Sequence, residues 1–343
     1  MATHEPELTA PVDLCTPDGK RLNPAARGWS RRPLHRANLR GRWGRTKKWD
    51  YWGVLAGDLT VAVTYADVDY LGLATVWWAD LAAGRTGGKD VTVPLARGID
   101  LPDVPASSTL RYDGKGVHLT IADDDETGAT TIDATWEEDA APARLHVVVD
   151  LPAGHDSLNV VIPWSDTTFQ YTSKHQARPA HGELTVGSTV RELGPDAWGV
   201  LDVGRGRWPY VTNWNWGGGA GRAIDAAGTT HTVGLQLGGK WTVGTGFTEN
   251  GVIVDGRLTK IGTELDWDYD WDEPMKPWRV TGGGVDLTFT PAYDKHTGVN
   301  AIVLRTEVHQ VFGRWSGTVS TDDGTTLTLD AIQGFAEESR SRW

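Results

Sequence analysis

Between Glu264 and Glu273 the chain reads Glu-Leu-Asp-Trp-Asp-Tyr-Asp-Trp-Asp-Glu, so carboxylates alternate one for one with large apolar side chains. Successive side chains of a β-strand point to opposite faces. A strand here carries Glu264, Asp266, Asp268, Asp270 and Asp272 on one face and Leu265, Trp267, Tyr269 and Trp271 on the other. On a helix the same residues would scatter around the axis and bury charge, so the period of two predicts a strand. Aspartate is a poor strand former, and an apolar face of Trp and Tyr has to outweigh it. The chain is therefore expected to build sheets with aromatic faces.

The pattern recurs. Trp208, Tyr210, Thr212, Trp214 and Trp216 share one face of a predicted strand, with Asn213 and Asn215 on the other. Val61, Val63 and Tyr65 alternate with Thr60, Ala62 and Thr64, and Leu145, Val147, Val149 and Val233, Leu235, Leu237 form similar sets. Clusters of Gly, Asp and Pro separate these runs, and no stretch of more than about a dozen residues has helical period. The predicted fold class is all-β and antiparallel, a sandwich or barrel with little helix. The run Gly-Gly-Gly-Ala-Gly over 217–221 is expected as a wide hairpin loop, and the aperiodic residues 174–182 as a connection.

At 343 residues the chain exceeds the usual size of one β domain, which predicts two packed units. The expected division is an N-terminal arm over 1–25, a first unit over 26–189 and a second over 190–343. No run approaches the roughly 20 apolar residues of a membrane-spanning helix. The polar N-terminus lacks the apolar core of a secretion signal, and the single Cys15 excludes an internal disulfide, so a cytoplasmic location is expected. A net charge of −12 argues against nucleic-acid partners. One basic stretch breaks the acidic trend, from Arg27 to Lys48, and reads either as an anion patch or as a surface paired with the acidic remainder. Trp outnumbers Phe 18 to 5, which a GC-rich genome favours, but codon bias does not choose where Trp sits. Eight of the 18 fall between Trp198 and Trp278, and that clustering points to a ligand site with a small-molecule partner.

Gly-x-Trp occurs at Gly41–Trp43, Gly206–Trp208, Gly239–Trp241 and Gly313–Trp315, a pairing that often opens the first strand of lipocalin-type barrels. Longer strings are more specific. Gly28-Trp29-Ser30, Trp49-Asp50-Tyr51-Trp52, Asp69-Tyr70-Leu71-Gly72, Gly204-Arg205-Gly206-Arg207-Trp208-Pro209-Tyr210, Trp214-Asn215-Trp216, Thr248-Glu249-Asn250, Lys276-Pro277-Trp278 and His309-Gln310-Val311-Phe312-Gly313 occur in this order. Together they resemble the family catalogued as domain of unknown function 2804, over about Leu14 to Trp343. That family is thought to be related to tandem lipocalin-like proteins, among them carotenoid hydratases and pericyclic cyclases. The resemblance implies two lipocalin-like antiparallel β-barrels packed side by side. It brings no reaction, and no hydratase motif can be carried over.

No Gly-x-Ser-x-Gly elbow, His-Glu-x-x-His pair or P-loop occurs, and no two histidines lie two or four apart. Neither a metal site nor a cofactor is therefore expected. The row from Glu264 to Asp272 reads as a solvated or ion-paired face, with a calcium site as the alternative. Glu249 lies between two predicted strands, where a barrel mouth would bury it and raise its pKa; otherwise it is a turn residue bonded to local backbone. Asp202 and Arg205 are expected to pair, or Arg205 to hold an oxyanion, and His309 is an acid/base candidate or a satisfied core histidine. Substrate contacts are expected from Trp208, Tyr210, Trp214, Trp216, Trp241, Asn250, Tyr269 and Trp278.

Three functions fit these residues. An acid–base enzyme without a cofactor (hydratase, dehydratase, isomerase or cyclase) would use a Trp-lined cavity to exclude water and stabilise developing positive charge. A carrier of an apolar or amphipathic metabolite needs the same walls and no group with a displaced pKa. A carbohydrate-active protein would show an open Trp platform flanked by carboxylates.

Overall fold

The computed structural model describes residues 3–300 and 305–342. Strand dominates, and pairing is antiparallel apart from short pieces such as Val12–Asp13 against His35–Arg36; the 3-10 turn Pro24–Ala26 is the one helical element among the described residues.

Two large sheets carry the fold. In the first, Thr46–Ala56, Leu59–Asp67, Leu71–Asp80 and Arg85–Pro94 form a meander. The chain then winds back through Leu110–Gly114, Val117–Asp123, Thr130–Glu138, Ala141–Val149 and Phe169–Val186 to Trp198–Arg207, which pairs with Thr46–Ala56. The second sheet repeats the plan. It begins with Val211–Asp225, Thr230–Gly239, Asn250–Val254 and Arg257–Ile261. It returns through Asp266–Asp268, Trp278–Gly282, Val285–Asn300 and Arg305–Ser320 to Thr326–Arg342, beside Val211–Asp225. Each sheet is thus an up-and-down meander whose last strand returns beside its first and curls into a lipocalin-like half-barrel. The seam falls between Arg207 and Val211, so Trp198–Arg207 completes the first sheet, where a division at 189/190 would give it to the second unit.

Each half-barrel is filled by its own side chains. Val61, Val63 and Tyr65 meet Leu119, Ile132 and Val147 inside the first; Val233, Leu235 and Leu237 meet Leu287, Phe289 and Trp315 inside the second. The alternation in the sequence points these sets inward. The opposite, outward faces pack against each other through Tyr51, Leu55, Trp77, Val200, Trp216, Phe312 and Phe335. The sequence-predicted cavity inside a barrel is therefore corrected: space remains between the halves.

Residues 3–25 are not a loose arm. Leu14, Cys15 and Leu22 are buried with Phe169 and Tyr171, and buried Glu5 pairs with Lys260 at 2.9 Å. The Glu5 carboxylate also accepts the Thr248 backbone N–H, fixing the residue before Glu249.

Other expectations change with the coordinates. Gly217 to Gly221 lie within the strand Val211–Asp225, where a Cβ on Gly218 would stand 2.5 Å from the Phe335 ring. Residues 174–182 belong to Phe169–Val186, and a bulge between His175 and Arg178 erases their period. Only Asp266–Asp268 of the alternating run pairs as a strand, although Trp267 and Tyr269 do pack on the second core. Asp266, Asp268 and Asp272 are exposed, and Lys276 pairs with Asp270 and Glu273. The basic stretch finds other partners: Arg27 with Asp166, Arg31 with Glu7 and Asp156, and Arg36 with Asp13.

Candidate active site

A cavity of about 330 Å³ lies between the outward faces of the two half-barrels. Trp49, Trp208, Trp214, Trp216 and Trp241 line it together with Tyr51, and its polar groups include Lys174, Asp202, Glu249, Lys295 and Glu337. The rings of Trp208 and Trp241 are stacked with centroids 5.4 Å apart.

Lys174 stands opposite Asp202 in the pairing of Phe169–Val186 with Trp198–Arg207, so both side chains leave the sheet on the same face. The Lys174 ammonium pairs with Asp202 at 2.9 Å and with Glu249 Oε2 at 3.2 Å, and it lies 4.4 Å over the Trp216 ring. Asp202 accepts hydrogen bonds from the Trp49 indole N–H at 3.1 Å and from the Thr172 hydroxyl at 3.1 Å. Gly204 makes the first of these possible, since a Cβ there would stand 2.2 Å from the Trp49 ring.

Glu249 closes the loop that follows Thr230–Gly239 and precedes Asn250–Val254. Its Oε1 accepts the Trp241 indole N–H at 2.6 Å, and its Oε2 faces the Lys174 ammonium. Complete burial pushes its pKa up, Lys174 pulls it back, and Asp202 raises it again; the result is about 7. Lys174 is drawn down by burial but held above its ordinary value by Asp202 and Glu249. Gly238 leaves room for the Glu249 side chain, whose Cγ would lie 2.3 Å from a Cβ at that position.

Glu337, on Thr326–Arg342, accepts the Trp214 indole N–H at 2.7 Å and the Gln310 amide at 2.9 Å. Burial raises it to about 7, against the Trp214 hydrogen bond and the Lys174 charge. Gln310 in turn accepts the Tyr51 hydroxyl at 3.4 Å. Three carboxylates around one ammonium are thus each held by an indole N–H, a donor that brings no charge. Two of them, Glu249 and Glu337, can hold, give or take protons near neutrality.

Comparison with known proteins places the chain. The model of the family described as "Domain of unknown function (DUF2804)" matches residues 5–343. The chain belongs to this family. Among curated protein sequences none matches this DUF2804 chain. Solved structures similar to it include CghA, at 11% identity and a TM-score of 0.44 over 87% of this chain and 88% of that one. CghA with Sch210972 aligns at 12% identity and a TM-score of 0.42, over 87% and 89% of the two chains. Kievitone hydratase from Nectria haematococca aligns at 10% identity and a TM-score of 0.47, also over 87% and 89%.

Within the DUF2804 chain, the residues singled out from sequence divide. Glu249, Asp202, Trp208, Trp214, Trp216 and Trp241 meet at the cavity. Arg205 does not pair with Asp202: an odd offset along the strand sends it inward, to Asp50 at 2.7 Å and the Trp49 carbonyl at 2.7 Å. His309 lies outside the cavity, bound to Asp294 at 2.7 Å. Asn250 bonds backbone groups of Gly238 and Thr263, and Tyr210 is 40% exposed under Arg45. Tyr269 and Trp278 stack on each other at 4.0 Å beside the second core.

Sequence spacing also hides a group of possible ligands, because His296 and His309 are cross-strand partners. Their nitrogens and a Glu307 oxygen lie within 4.8 Å of one another. The two rings stack almost parallel at 4.3 Å, so their in-plane lone pairs run side by side rather than converge. The residues missed from sequence are Lys174, Trp49, Tyr51, Gln310, Glu337 and Lys295. A usable signal existed for Lys174, since Gln170, Thr172 and Lys174 make a polar face opposite Phe169 and Tyr171.

Proposed function

We propose that this DUF2804 protein is an acid–base enzyme without a cofactor, a hydratase, dehydratase, isomerase or cyclase acting on a small amphipathic metabolite. One observation carries the reading: a fully buried carboxyl group with a pKa near 7, Glu249, borders a tryptophan-walled cavity. A carboxylic acid that is half protonated at neutral pH is matched to proton transfer, and such an acid contributes about 10²–10⁴ in rate. The Trp241 indole holds Glu249 at Oε1, and the Lys174 ammonium faces Oε2. Lys174 and Asp202 set its charge environment, and Glu337 faces the same space as a second acid or acceptor. In hydration, Glu249 gives its proton to an alkene carbon, water adds to the cation, and a carboxylate takes the proton of that water. In isomerisation a carboxylate removes a proton from one carbon and the resulting acid returns a proton to another. The aromatic walls favour a cationic transition state.

The test uses the protein with a small-metabolite extract of its source cells in D2O, followed by mass spectrometry. Wild type is expected to yield a feature shifted by one water, a new isomer, or deuterium uptake, and Glu249→Gln is expected not to. A feature enriched unchanged by both proteins would sink the enzyme reading and favour a carrier. The carbohydrate reading is not supported by the second concavity, around Tyr269, Trp271 and Trp278. There Tyr269 and Trp278 cover each other, and Arg340 caps Trp271 at 3.8 Å.

A further inference from the structure

Two lysines border the cavity, and only one is neutralised. Lys174 has Asp202 and Glu249. Lys295, on Val285–Asn300, pairs with no carboxylate among the described residues; its contact is the Trp77 ring, with the ammonium 4.3 Å from the centroid. Burial draws its pKa down, and the fields of Asp90 and Glu337 recover only part of this. Glu337 forms no ion pair with it, and its oxygens accept from Trp214 and Gln310. Lys295 is half-buried at the cavity edge, and the ring face attracts its cation without supplying a hydrogen-bond acceptor.

We propose that Lys295 anchors an anionic group of the ligand, so that the cavity takes a small organic acid with an apolar body. The acid's carboxylate would accept a charge-assisted hydrogen bond from Lys295, and its body would lie along Trp214, Trp216 and Trp208 towards Glu249. Trp77 comes from the first half-barrel and Lys295 from the second, so the anion seat is built only where the two meet. The inference rests on the reading of this cavity as a ligand site. It does not depend on which residue moves a proton.

The experiment uses two matched probes, 2-naphthylacetate and 2-(2-naphthyl)ethanol, titrated into the full-length protein at pH 7.5 by tryptophan fluorescence and calorimetry. Wild type is expected to bind the acid about 10-fold more tightly than the alcohol, the scale of one charge-assisted hydrogen bond. Lys295→Met is expected to lose that preference while binding the alcohol as before. Lys295→Arg is expected to keep it. Equal affinity of wild type for the two probes overturns the proposal without touching the cavity reading. A preference that survives Lys295→Met also overturns it and assigns the anion to Lys174. Failure of wild type to bind either probe overturns both.

Discussion

Glu337 and Glu338 are joined by one peptide bond, yet the protein holds the first as a weak acid and the second as a strong one. Strand alternation sends Glu337 outward into the cavity and Glu338 towards the interior of the second half-barrel. Both are nearly inaccessible to water. Their hydrogen-bond partners differ. Glu338 receives Arg340 at 2.9 Å, Lys240 at 2.6 Å and the Tyr269 hydroxyl at 2.6 Å, and these hold its pKa below the ordinary glutamate value although burial opposes them. Glu337 receives an indole and an amide, both neutral, and burial wins. The lesson concerns tryptophan. Its N–H satisfies a carboxylate without neutralising it, so a Trp-rich wall fixes acids in place while leaving them protonatable. Trp214 and Trp241 each do this for one acid of the cavity.

The widest gap between the two environments is expected in activity. Glu249→Gln is expected to lower turnover about 10²–10⁴-fold, the usual contribution of a positioned acid. Glu338→Gln is expected to leave the same turnover within about 2-fold, because its carboxylate belongs to the other face. Turnover of whichever metabolite the D2O experiment identifies is the readout. Equal losses in the two variants would show that the difference in environment has no chemical consequence.

Next in size is the removal of the cavity's central cation. Lys174→Met leaves Asp202 and Glu249 buried without it, a change that destabilises by about 3–5 kcal/mol when a buried pair is broken. The loss should depend on pH. Without Lys174, Glu249 has a still higher folded pKa, so the folded state binds more protons than the unfolded one and stability falls as pH rises through that value. Denaturation at pH 5 and pH 8 should therefore show the larger deficit at pH 8. A deficit that is larger at pH 5 would contradict the assignment of Lys174 as the counter-ion.

Much of this contrast could be read before any coordinates. Trp214 and Trp216 share a face because strand period dictates it, whereas Trp208, expected on the same strand, lies in the link between Trp198–Arg207 and Val211–Asp225; the sets around Val63 and Leu235 fill the two interiors by the same period. Glu249 was legible as an acid near a strand end. Arg205 was not, because distance along the chain suggested Asp202 while the odd offset separated the two faces. Lys174 ends the regular alternation of Gln170 and Thr172 with Phe169 and Tyr171, and the bulge at Ala177 breaks the period only beyond it, which made residues 174–182 read as a connection. Above all, the sequence carries period but no pairing between sheets. Nothing in it says that the outward face of Thr46–Ala56 meets that of Thr326–Arg342, and the cavity exists only through that meeting.

The smallest expected effect tests the comparison most directly. Glu337→Gln and Glu338→Gln are the same isosteric change one residue apart, and they should move stability at pH 8 in opposite directions. The folded pKa of Glu337 is raised to about 7 from 4.5, so its protonated form favours folding below about 4.5 and that advantage is lost as pH rises through 7. Above 7 the wild type keeps a buried charge held by neutral donors. Glu337→Gln removes the charge and keeps the Trp214 bond, with Gln310 turning its oxygen to the new amide; a gain of order 1–2 kcal/mol at pH 8, vanishing by pH 4, is expected. Glu338 has a depressed folded pKa, so its contribution is present above the ordinary glutamate value and lost as pH falls through the folded one. Glu338→Gln gives up charged partners, and a loss of order 1–2 kcal/mol at pH 8 that shrinks in acid is expected. Urea denaturation of both variants at pH 4 and pH 8 decides the matter. Shifts of the same sign at pH 8 would mean that the charge on the donor does not separate the two sites.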